Sequence, residues 1–351
     1  MKKHFQIILA VLIAASLVSC AKEGGLTAGT ATAKSMLRLI PADVRGVVLI
    51  NVHKALATEP AIKALKEEAA KKRYDEFVAK AGIDPAKDIY FLAIAAGVDP
   101  TGKNQEGVLI VNARFNKADL LSKLTSPGKG LPAEDYEGIT LYKGLEFNSP
   151  EKSVTVVGAI LDDSNIVLGN DKVVRRVIDV YRQKADSVSK SAEMAKVLKA
   201  VDTSAVAWAA FALPPGMLKG LVEKNPMLKS FEGVTGVTVS FDYANALLIA
   251  EIQSLGGTKE QNKQLADMLN GFKAIGAAAG GSNPTVTDLM NALEITSGDD
   301  HVKIYAGLGS ELLDKLGKLA REKAAGMSAF GQPGSKDGQA EEKKAEPEIK
   351  K

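Results

Sequence analysis

The chain has 351 residues, 46% of them apolar and 25% charged, an ordinary balance for a globular protein. Its formal charge is only +3 and aromatic residues make up 5%. That leaves no basic footprint for nucleic acid and too few rings for a stacking face. Cys20 is the single cysteine, so no internal disulfide can form and the fold must rest on its core.

The first residues, Met1-Lys2-Lys3-His4, are basic, and Phe5 to Leu17 is an apolar run of 13 residues. Such a run suits a secretory leader and is short of the roughly 20 residues a membrane-spanning helix needs. The stretch that follows, Leu17-Val18-Ser19-Cys20, resembles the lipobox of bacterial lipoproteins. That resemblance implies cleavage between Ser19 and Cys20, diacylglycerol on the Cys20 sulfur and a further acyl chain, such as palmitate, on the new amino group. Each buried acyl CH2 contributes about 0.8 kcal/mol and one chain holds only marginally, so two or three chains give a stable membrane anchor. Ala21 follows the cysteine where enteric-type sorting uses Asp for inner-membrane retention, so the address implied is the outer membrane. Loss of the leader leaves 43 basic against 42 acidic residues. Residues 20–35 have no apolar period and read as a flexible tether behind the lipidated cysteine.

The body begins with "GVVLINV" (Gly46 to Val52), a β-branched run that reads as a buried strand. A helix capped near Thr58 or Glu59, with Pro60 in its first turn, is expected to run to Gly82. Two strands, Asp88 to Gly97 and Gly107 to Phe115, flank a turn-rich segment and predict a hairpin. Asn116 caps a short helix with Leu120, Leu121 and Leu124 on one face. A meander over Ile139 to Phe147, Ser153 to Leu161 and Asn165 to Leu168 comes next. Asn170 or Asp171 then caps a helix lined by Val173, Val174, Val177, Ile178 and Tyr181, and a shorter helix lies near Ala192 to Lys199.

A second pass keeps a similar order. Ala205 to Leu213 is a strand stopped by Pro214-Pro215, with a helix from about Gly216. The segments "GVTVSFDYA" and "NALLIAEIQS" form a hairpin, Thr258 caps a helix carrying Leu265, Met268, Leu269, Phe272 and Ile275, and another helix runs near Val286 to Met290. A last hairpin, "ALEITSGDDHVKIYAGL", leads into a helix from Ser310 to about Lys323. The fold class expected is α+β: antiparallel sheets with helices packed on one face, in two tandem related subdomains, 36–199 and 200–326. The second is a candidate duplication of the first. Residues 327–351 are poor in apolar residues and read as a disordered charged tail.

Leu39-Ile40-Pro41-Ala42-Asp43 before the first strand, and "YEGITLYKG" through "ILDDSNIVLGNDKVVRRVID", resemble a group of uncharacterised exported bacterial proteins classed as a domain of unknown function. The likeness spans Leu39 to Lys199. It implies an α+β periplasmic or surface domain and carries no catalytic residues that could be transferred.

Chemistry is sparse. The histidines of the body are His53, at the end of the first strand, and His301, beside a hairpin turn. They cannot furnish the three or four spaced ligands of a zinc site, and no G-x-S-x-G elbow accompanies them. The acidic pairs Asp162-Asp163 and Asp299-Asp300 lack the alternation of a calcium loop and sit where Asp favours turns. Gly307-x-Gly309 has Leu312 where a dinucleotide fingerprint needs glycine, and "GAAAGGSNP" (Gly276 to Pro284) reads as a helix end with a loop. Trp208, inside an apolar strand, reads as core. No catalytic, cofactor or metal residue is assigned. The functional expectation is a lipid-anchored, non-catalytic binding or structural module of the envelope, with an unidentified protein or lipid partner and no nucleic acid. Two alternatives stand beside it: a carrier or chaperone for a hydrophobic ligand, and a hydrolase built around His53 or His301.

Overall fold

In the computed structural model, residues 31–97, 106–124, 130–148 and 153–329 are described. Ser19, Cys20 and the rest of the leader, most of the tether, and the tail from 330 onward lie outside them. Thr32 ends the tether earlier than the composition suggests. Its hydroxyl accepts from the Ser35 backbone N–H while the Ser35 hydroxyl accepts from Thr32, a reciprocal cap that starts α1 (Ala33–Leu37).

Strand β1 (Gly46–Asn51) lies at the middle of one sheet of 12 strands. On one side it pairs with β2 (Ile89–Ala96), and the sheet continues through β3 (Gly107–Ala113), β7 (Asn165–Gly169), β6 (Ser153–Ile160), β5 (Ile139–Asn148) and β4 (Ala133–Tyr136). On the other side it pairs with β8 (Ala207–Ala212), followed by β9 (Val234–Ala244), β10 (Leu247–Gly256), β12 (His301–Gly309) and β11 (Leu293–Ser297). Every pairing is antiparallel. The two passes along the chain therefore meet in one sheet, at the β1–β8 pair that opens each of them.

The helices occupy both faces, where the hairpin-connected strands suggested one. The first face carries α1, α7 (Asp171–Tyr181) and α8 (Ala192–Ala200), whose Met36, Val174, Ile178 and Met194 pack on Val47, Leu49, Ala93, Ile110 and Trp208. The opposite face carries two separate groups. One is α2 (Val52–Leu56), α3 (Glu59–Leu65), α5 (Pro85–Asp88) and α6 (Lys117–Leu124), packed around Ile50, Ile89 and Ala113. The other is α10 (Lys259–Ala279) with the 3-10 turn Pro226–Phe231, packed around Val234, Leu265 and Val302. The β strands run as near-continuous apolar sequence here because they are covered twice.

The single helix expected from Thr58 to Gly82 is two. Thr58 caps α3, a break follows at Lys66-Glu67, and α4 (Glu68–Ala81) ends on Gly82 in the left-handed conformation. None of the 14 residues of α4 is buried. Chain connections then pass through α9 (Lys219–Lys224), α11 (Pro284–Ala292) and α12 (Ser310–Ala329), the last running past the expected end at Lys323. Strand β4 is an addition. Its turn, Glu137-Gly138, has both residues at positive φ (55° and 72°), with the Asp135 carboxylate accepting from the Gly138 N–H.

Candidate functional site

Register across the sheet decides what each face offers. One row on the first face runs Val167, Ile110, Ala93, Leu49, Trp208, Ser240, Glu251, Tyr305, Glu294 from β7 to β11. Its first five members are buried under α1, α7 and α8. From Ser240 onward the row is polar and partly or fully exposed, as expected of a sheet face that meets water. Glu251 and Lys303 form an ion pair there, 3.1 Å apart.

The neighbouring row on the opposite face behaves differently. It runs Leu168, Leu109, Ile94, Val48, Ala209, Val239, Ile252, Ile304, Ile295, one residue from each of the same nine strands. All nine are aliphatic, none is fully buried, and Ile252 at the centre of the second half is 42% exposed. Val48 of this row packs against one helical group of that face and Ile295 against the other. On one side, Leu92, Ile50, Ala207 and Phe241 belong to the α2–α3–α5–α6 cluster. On the other, Phe211 lies over Gly46, while Val237 and Val302 belong to the α10 cluster. Phe272 (45% exposed), Ile275 (65%) and Met217 stand on the segments packed against this same face. This apolar seam has Ile252 as its exposed member where the other face turns polar.

The expected chemical residues do not assemble. His53 sits in the first turn of α2, its Nε2 buried without a hydrogen-bond partner and its ring 4.8 Å from that of Tyr90. Burial holds its pKa below the usual histidine value, against the pull of Asp88 and with the help of Arg114. Tyr90 is the extra residue of a β-bulge in β2, and its hydroxyl is also buried and unpartnered. Asp88 is taken up by Arg114, whose Nη2 lies 2.7 Å away, and by the Asp84 N–H. His301 opens β12, with Nδ1 3.1 Å from Asp300 Oδ1, and its ring lies on Gly298 of the hairpin turn. The hydrogen bond to His301 is the main cause of the low pKa of Asp300.

Both acidic pairs act in turns. Asp162 accepts from the N–H groups of Ser164 (2.8 Å) and Asn165 (2.9 Å) and from the Asn165 amide. Asp299 binds Lys259 at 3.0 Å, and the Asp300 carbonyl accepts from the Gly256 N–H. Among the described residues no group of three or more His, Cys, Asp or Glu could hold a metal ion. Gly307 and Gly309 lie within β12, and the 276–284 stretch closes α10 and hands over to α11 through the Asn283 cap. Trp208 is core, 1% exposed, with Nε1 unpartnered. An open depression of about 240 Å³ lies where Gly144 bulges β5, lined by Lys143, Val156, Asn170 and Asp171 among others.

The segments that resembled an uncharacterised family touch each other. The Asp43 carboxylate accepts from Arg176 of α7, Arg176 also holds Glu106 at 2.6 Å, and Pro41 bridges to Ser187. A family model described as "Protein of unknown function (DUF3352)" matches residues 7–272. The chain belongs to this family. For DUF3352 no catalytic function is known, and no curated protein matches this member. Among solved structures, crystal form III of TP0453 aligns with a TM-score of 0.42 at 12% identity, over 79% of this chain and 95% of that one. Crystal form I of TP0453 aligns at 0.42 and 10% identity, over 81% and 96%. Among the described residues, no helix of this DUF3352 chain is long and apolar enough to cross a membrane.

Proposed function

We propose that the protein is a lipid-anchored, non-catalytic module of the bacterial cell envelope that binds an apolar partner at the apolar seam around Ile252. The observation that carries the binding reading is the row from Leu168 to Ile295, aliphatic at nine strands and buried at none. Ile252, 42% exposed at the centre of this row, is an apolar side chain left open to a partner. The anchor reading is supported by Leu17-Val18-Ser19-Cys20 placed directly behind an apolar run, with acyl chains on Cys20 and Ala21 pointing to the outer membrane.

Metabolic labelling with an alkyne analogue of palmitate tests the anchor. The parent chain is expected to take up label and to fractionate with membranes, and Cys20→Ala to do neither. A Cys20→Ala chain that still carries label and stays with membranes overturns it. The binding reading is tested separately with an environment-sensitive apolar dye. Its fluorescence is expected to rise on the parent and to fall by more than half on Ile252→Glu, and equal signals from the two chains refute the seam as a binding face.

A further inference from the structure

We propose that α12 is a hinged strap that swings on Gly307 and Gly309, and that its release admits the apolar partner to the seam around Ile252. This rests on the seam being the binding face and names what regulates it. Three observations carry it. First, α12 bridges the two helical groups against which Val48 and Ile295 of the row pack. Asp314 pairs with Lys63 of α3 at 2.5 Å, and Lys315 pairs with Asp288 of α11 at 3.4 Å. The α11 helix in turn packs on α10, with Met290 against Gly276.

Second, little holds α12 down. The side chains of the first ion pair are 64% and 54% exposed, and an exposed pair shifts an equilibrium by no more than about fivefold. None of residues 310–320 is buried, and Leu312, Leu313, Leu316 and Leu319 are only half-buried. Helix α7 stands at the same place in the first pass, directly after β7, and buries Val173, Val174, Val177, Ile178 and Val180.

Third, the junction is free to rotate. A side chain on Gly169, which ends β7, would meet the Gly107 carbonyl at 2.7 Å, so close packing accounts for that glycine. No such contact accounts for the two at the end of β12. An added methyl would come no closer than 3.5 Å to a neighbour at Gly307 and 3.9 Å at Gly309, and neither has positive φ. What glycine still supplies there is backbone freedom. Pairing to β11 stops at Ala306, so residues 307–309 are held on one side only, by β10. Hinges absorb their rotation at a few such residues at the end of an element.

Cys20 is the single cysteine, so Cys20→Ala gives a thiol-free full chain into which Lys63→Cys and Asp314→Cys are placed. A short, cleavable bismaleimide then ties α12 to α3. Before tying, and in the parent, the amides of residues 314–320 are expected to show at least tenfold lower hydrogen-exchange protection than those of α7. Tying should raise their protection at least tenfold. The signal of the apolar dye should fall by more than half on tying and return when the linker is cleaved. Protection in α12 equal to that of α7, or a dye signal untouched by tying, overturns the strap. Gly309→Ala is the second arm and needs no new space. It should raise protection in α12 about two- to fivefold, because the released state loses backbone freedom. Unchanged protection refutes the hinge. If Ile252→Glu lowers the dye signal and tying does not, the strap fails while the binding face stands. If neither lowers it, both fail.

Discussion

Tyr90 and His53 hold two of the buried polar atoms that have no hydrogen-bond partner. An unpaired buried hydroxyl costs free energy, so its removal should cost nothing. Tyr90→Phe is expected to match the parent or exceed it by up to about 1 kcal/mol in urea unfolding. A measurable loss would mean the hydroxyl has a partner. For His53 the sign follows from its depressed pKa. As pH falls through about 6.5 the unfolded chain binds the proton before the folded chain does, so stability drops until the folded pKa is passed. The stability this group confers is complete above about 6.5 and lost by the time pH has fallen through the folded value. Unfolding free energies measured between pH 8 and pH 5 should fall less steeply for His53→Gln than for the parent. Parallel slopes would show that other groups govern the acid limb. Neither orphan was legible in the sequence, which places a histidine near a strand end but not a tyrosine bulged beneath it.

At the scale of elements, local chemistry located most boundaries. Thr58, Asn116, Asn170 and Thr258 each cap the helix they precede, because a short polar side chain there satisfies a free N–H group. Thr258 does so reciprocally with Gln261, and Thr258→Ala should lower stability by about 1 kcal/mol in chemical denaturation. No change would show that the first turn of α10 is held by packing alone. Local chemistry failed in two places. The α3–α4 break has no proline or glycine to announce it, since Lys66-Glu67 are ordinary helix formers. Strand β4 reads "AEDY", too polar and short to stand out, although the Glu137-Gly138 turn that pairs it with β5 was a usable hairpin signal. Helix α4 kept a plausible periodicity yet buries none of its residues.

For the whole molecule, the β1–β8 pair is the joint that matters. Leu49 and Trp208 face each other across it, and both are 1% exposed in the core under α1, α7 and α8. Because the two passes share this core, they should unfold together. Trp208 fluorescence and far-UV circular dichroism are expected to give one coincident transition, and Leu49→Ala to shift it by about 2–5 kcal/mol without splitting it. Two separated transitions would mean the halves are independent units. The shared strand order outward from the joint, β1-β2-β3-β7 against β8-β9-β10-β12, is what a duplication would produce.

The amino-acid order by itself determined the α+β class, the hairpins, most helix caps, the turn role of Asp162 and Asp299, and the core placement of Trp208. Each of these depends on neighbours within a few residues, and the alternation of apolar and polar positions records them directly. The tertiary structure alone decided that the two passes make one sheet, that helices cover both faces, and that Ile252 stays exposed within an aliphatic row. The residues of that row, from Leu168 to Ile295, come from nine strands and never stand adjacent in the chain. In the sequence each reads as one more buried aliphatic of a strand. Only strand register shows that they share a face, and only helix placement shows that Ile252 among them is left exposed.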